Sequence, residues 1–189
     1  MALLIVGILL FTLVHLFPAV MKPTRDGLVE QLGAGRYQGL FALTILVSIV
    51  IIVFGWKSTA PAPVYAPVLS PGLVTSGLML VATVLFVATV LPTNIKRLLR
   101  HPQMTGTLIW SVTHLLANGD SRSILLFGSL GLWSIAEMVL CSRRDGAWQK
   151  PERVGGTKDA VYVIIGIVLF AVFAYFHRGM FGVSVIPGT

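Results

Sequence analysis

Of the 189 residues, 56% are hydrophobic and 11% are charged, with a mean hydropathy of +0.88; a soluble domain devotes about a quarter of its residues to charge, so this chain belongs in a bilayer. The 14 Lys and Arg against 7 Asp and Glu are therefore first a topology signal rather than a nucleic-acid footprint. The single cysteine, Cys141, excludes an internal disulfide, a CxxCH haem attachment and a Cys-rich metal site, so any metal or cofactor must rest on His and acidic residues.

Apolar runs at 1–21, 37–56, 72–92, 122–141 and 159–179 each approach the ~20 residues that cross a bilayer. The first lacks a basic n-region and an A-x-A cleavage site and has too long an apolar stretch for a signal peptide, so it is expected to stay attached. Between the second and third runs, STAPAPVYAPVLSPG (58–72) reads as an extended linker, with a lid as the alternative. The stretch 102–118 reads as a sixth, irregular span of about 25 Å. Pro102 suits its first turn, and Asn118-Gly119 suits its C-terminal cap. Lys and Arg number three, three and five in 22–36, 93–105 and 142–158, against one each in 57–71, 118–123 and 178–189. That bias puts both termini on the outer side. No internal repeat or second domain is visible.

Taken as a helix, 102–118 places Thr107, Trp110, Ser111, His114 and Asn118 on one face. The face reads either as interhelical hydrogen bonding or as a ligand site, since ionisable groups inside spans are costly and often functional. His101 and His114 lie about 20 Å apart along a continuous helix and on different faces, so they cannot grip one metal. His101, with Arg97 and Arg100, belongs at the inner membrane edge, either meeting an anionic headgroup or phosphate or as an ordinary interfacial residue. A partner for His114 must come from another span. His15 is the only other histidine well inside one, for His177 sits beside Arg178 at an outer edge. The depths of His15 and His114 differ by roughly 8 Å unless Pro102 lies among the headgroups or the helices tilt.

Glu137 is the only acid well inside a span, with Trp133 one turn before it on the same face. It reads as a proton donor or acceptor, or as a hydrogen-bonding link to a neighbouring helix. Cys141 reads as a small packing residue. With no GxSxG, Walker A, HExxH or GxGxxG motif, hydrolase, NTPase and dehydrogenase readings have no support.

RHP at 100–102, Trp110 and HLLANGD at 114–120, preceded by FTLVHLFPA at 11–19 and GRYQGLFAL at 35–43, resemble the NnrU membrane family over most of the chain. That family is associated with nitrite and nitric oxide reduction and is similar to the 15-cis-zeta-carotene isomerase of plants and cyanobacteria, a haem b enzyme that turns one double bond from cis to trans without net redox change. The resemblance implies a non-covalent haem b and puts His15 and His114 where that enzyme's candidate axial ligands lie. The isomerase has a cysteine one turn before the second histidine; here that residue is Ser111. RHP with an acid in the next span also resembles the isoprenylcysteine methyltransferase group, but Gln103 and Met104 follow without that group's usual aromatic residue.

The expectation is an all-α polytopic bundle, one domain over 1–189, in the bacterial inner membrane, with a lipid-accessible pocket between the first, fourth and fifth of six spans. His15 and His114 would ligate iron, and Ser111 or a carbonyl would orient the imidazole of His114, because the Trp110 indole only donates. Trp110 and Ser111 would line the cofactor, and Asn118 and Asp120 would reach its propionates through water or a donor at the outer mouth. His101 would contribute at the inner edge, and Glu137 would bind or protonate what enters. The expected partners are membrane lipid and a lipophilic polyene for an isomerase, or nitric oxide for a non-catalytic haem accessory or sensor.

Overall fold

In hydrocarbon the backbone has no water to bond, so a chain this apolar satisfies its amides by closing into helices. The computed structural model describes residues 1–183 and 185. It comprises α1 (Ala2–Val20), α2 (Lys22–Leu32), α3 (Ala34–Ser58), α4 (Leu73–Val90), a single 3-10 turn (Asn94–Arg97), α5 (Pro102–Ala117), α6 (Ser121–Asp145) and α7 (Gly156–Phe181). Within α6, Ile124–Gly128 form a wider π-helical turn. Five of these helices, α1, α3, α4, α6 and α7, are long and apolar enough to cross a membrane. The 16 residues of α5 make about 24 Å, short of a typical hydrocarbon core.

The chain divides into two compact units, Met1–Val64 with Asp120–Gly146, and Tyr65–Gly119 with Ala147–Thr189. In the first, α1 and α3 run antiparallel and nearly touch through glycines. A Cβ on Gly55 would stand 2.5 Å from the Leu4 Cα, and one on Gly7 2.8 Å from the Ile52 amide nitrogen. Small residues admit this approach where lipid offers helices no hydrophobic reason to associate. α6 packs on α1 through Trp133 and Phe11, whose ring centroids are 5.2 Å apart.

The N-terminus of α6 is tied down by side chains. Asp120 accepts from the Arg122 and Ser123 amides, both at 3.1 Å, and from the Ser123 hydroxyl at 2.6 Å. Arg122 lies 4.3 Å over the Trp56 ring and donates to the Trp56 and Thr59 carbonyls at 3.3 and 3.2 Å, covering the orphan acceptors at the end of α3.

In the second unit α4 packs against α5 and α7. Asp159, in the first turn of α7, accepts from the Thr93 hydroxyl at 2.6 Å and from the Asn94 amide at 2.9 Å. The Asn94 side chain donates to the Val154 carbonyl at 2.8 Å and accepts from its amide at 3.1 Å.

Two sequence-based expectations are corrected. The inner loop expected at 22–36 contains α2, started by Pro23 and carrying a Lys22–Asp26 ion pair of 2.6 Å; eleven mostly polar residues carry no membrane-length apolar signal. The Pro-rich segment is not a plain linker either. Val68 and Leu69 donate their amides to the Leu116 carbonyl at 3.0 and 2.9 Å, Tyr65 donates its amide to the Gly119 carbonyl at 3.1 Å, and the Tyr65 hydroxyl meets the carbonyls of Leu115 and Asn118. The segment thus caps α5, and a Cβ on Gly119 would run into the Tyr65 carbonyl.

The α1–α3 contact yields a test. Gly55→Val should destabilise the detergent-solubilised protein by about 1–3 kcal/mol as the helices are forced apart. Gly39→Val, in the same helix with nothing within 4 Å of a built Cβ, should leave the unfolding transition within about 0.5 kcal/mol. Equal shifts in the two transitions would contradict the close contact.

Candidate functional site

His15 stands near the middle of the first unit, on α1. Its Nδ1–H donates to the Phe11 carbonyl one turn back at 2.9 Å. A carbonyl can only accept, so the bond fixes the proton of the neutral ring on Nδ1 and puts the lone pair on Nε2. Three aromatic rings surround the imidazole: Phe11 at 4.2 Å between centroids, Trp133 of α6 at 5.0 Å and Phe41 of α3 at 5.7 Å, the last two edge-on. Tyr37, one turn before Phe41, stacks on it at 6.4 Å and lies under the Arg25 guanidinium at 5.7 Å.

Glu137 follows Trp133 by one turn, and the Cys141 thiol donates to its Oε1 at 3.3 Å. Its Oε2 is buried and meets no hydrogen-bond partner among the described residues, as is also true of the Trp133 Nε1. Cys141 is therefore a donor to Glu137 as well as a packing residue.

In the second unit His114 repeats the arrangement on α5. Its Nδ1–H donates to the Trp110 carbonyl at 2.8 Å, and the two rings lie 5.1 Å apart. Of the two orienting partners expected, it is thus a carbonyl that binds, while the Ser111 hydroxyl, fully buried, meets no partner among the described residues. Asn118 ends the helix as expected: its amide and its side chain both bond the His114 carbonyl, at 2.8 and 2.9 Å. Pro102 opens the helix after His101, whose carbonyl accepts from the Thr105 amide and hydroxyl, both at 3.0 Å.

Residues 3–185 match the NnrU protein family. The chain belongs to that family. No curated protein and no solved structure matches it.

The NnrU match covers both histidines. Of the site residues singled out in the sequence, the first unit holds His15, Glu137 and Asp120, and the second holds His101, Trp110, Ser111, His114 and Asn118. Asp120 uses both carboxylate oxygens to cap α6. The cage residues Phe11 and Phe41 were not singled out, although Phe11 is one turn from His15 and Tyr37 one turn from Phe41 in the sequence. Arg122 and Tyr65 gave no local sign, because each acts on a carbonyl more than 45 residues away. Among the described residues no three His, Cys, Asp or Glu side chains form a metal-holding group.

Proposed function

We propose that this NnrU-family protein is a haem b protein of the bacterial inner membrane, in which His15 and His114 would hold the iron, acting on a lipophilic polyene whose cis double bond it turns to trans. The observation that carries the reading is shared by both histidines: each spends its Nδ1–H on a carbonyl of its own helix, so the coordinating lone pair is on Nε2. Imidazole ligands in metal sites are held in this way by a second hydrogen bond that sets tautomer and ring orientation.

Bound haem would supply an iron able to draw electron density from a conjugated double bond and so lower the barrier to its rotation. The protein's own share is positional. Phe11, Phe41 and Trp133 hold the His15 ring, and the Trp110 ring lies tilted beside His114. Glu137 places a carboxyl one turn from Trp133, where it can accept or hold a proton on Oε2. Family membership also supports a second reading, a non-catalytic haem accessory or sensor in nitric oxide respiration. The two part on what the reduced protein takes up, a polyene or the gas.

The charge bias supports six spans, with α5 as the fourth and both termini outside; Lys22 and Arg25 then put α2 at the cytoplasmic face.

Purified His15→Ala and His114→Ala should each retain haem at least about tenfold less well than wild type, or turn high-spin, whereas His101→Ala should keep haem content and spectrum. Wild-type occupancy and an unchanged reduced spectrum in both ligand variants would overturn the assignment.

Reporter fusions after residues 25, 98 and 148 should mark the cytoplasm, and fusions after 64 and at the C-terminus the outer side. A cytoplasmic C-terminus would remove α5 from the spans.

A further inference from the structure

Trp133 and Glu137 bury a donor and an acceptor one helical turn apart, and neither the indole Nε1 nor the carboxyl Oε2 meets a partner among the described residues. Such groups are rarely left unmet in a protein interior, because desolvating them unpaired is costly. Around them in the same helix, the Ser134 hydroxyl donates to the Gly131 carbonyl at 2.7 Å, and the Cys141 thiol donates to the other Glu137 oxygen at 3.3 Å. The unmatched pair sits against the aromatic cage, since the ring that carries Nε1 lies edge-on to His15 at 5.0 Å and to Phe11 at 5.2 Å. Trp133 itself is only 6% exposed.

We infer that Trp133 and Glu137 recognise the hydroxyl group of a lipophilic alcohol, held beside the His15 ring. One hydroxyl oxygen accepts from the indole N–H and gives its own proton to the Glu137 Oε2. An ether or carbonyl oxygen can accept from the indole but has no proton for the carboxylate, and a pure hydrocarbon satisfies neither group. A bound water offers the same oxygen chemistry and is the competing source. The inference deepens the reading above by giving its lipophilic ligand a hydroxyl, and it rests on that ligand but not on iron.

The test uses the full chain in lipid nanodiscs, with tritiated geranylgeraniol and its tritiated methyl ether as probes and retained label as the readout. The ether keeps the chain and an acceptor oxygen but has no proton to donate. Wild type should bind the alcohol at least about tenfold more tightly than the ether, the effect of one buried hydrogen bond. Trp133→Phe and Glu137→Leu should each bring that ratio to within about twofold, and Glu137→Gln, which keeps a carbonyl acceptor, should retain part of it. Equal affinity for the two probes in wild type would overturn the inference and leave the pair to a bound water. A preference that survives in both Trp133→Phe and Glu137→Leu would also overturn it, by moving recognition elsewhere. Retention of neither probe would remove the lipophilic ligand along with it, whereas haem content, read separately from the absorption spectrum, decides the iron assignment alone.

Discussion

A polar side chain in hydrocarbon must find its partner within the protein, and the chain meets this demand most often by bonding back to its own helix. The hydroxyls of Thr12, Thr44, Thr83, Thr89 and Thr107 each donate to the carbonyl four residues earlier. His15 and His114 obey the same rule with Nδ1–H. The consequence differs in geometry, because the lone pairs left to a hydroxyl sit on the same oxygen that makes the back-bond, while a neutral imidazole carries its lone pair on the far side of a rigid ring. A device that makes threonine tolerable in a span thus fixes the ring of a histidine and the direction of its lone pair. At both positions the helix itself supplies the acceptor.

Helix ends present the same demand in a harder form, because their last carbonyls have no turn beyond them. α3 and α5 meet it with distant residues. Arg122 covers the end of α3, and the Tyr65–Leu69 stretch covers the end of α5. The short α5, which carries His114, is therefore closed at its C-terminus by Asn118 from within and by Tyr65, Val68 and Leu69 from the Pro-rich segment. The prolines in that segment keep it extended, so that its remaining amides can be presented to the helix.

This division between local and distant partners explains what the sequence revealed. All five long apolar helices, the Pro102 start and the Asn118 end of α5 were legible, because apolar length and cap chemistry are local. The shared face of Trp110, Ser111 and His114 was legible too, since periodicity places it. The orienting bond could be narrowed only to a hydroxyl or a carbonyl, and the structure gives it to the carbonyl of Trp110. What escaped depends on chain folding. α2 has no span-length signal, the docking of 65–69 joins residues some 50 positions apart, and the cage around His15 takes one ring from each of α1, α3 and α6. The Trp133–Glu137 spacing was visible, but only the structure shows that both polar atoms are buried and unmatched.

The central claim is that two back-bonded imidazoles turn this NnrU-family membrane protein into a haem protein. Low-temperature EPR of the purified, air-oxidised wild type examines that ligation without any substitution. The account predicts a low-spin ferric signal typical of two imidazole ligands as the main species. A preparation whose only haem signal is high-spin, or one that carries no iron porphyrin when expressed in a haem-replete host, would contradict it.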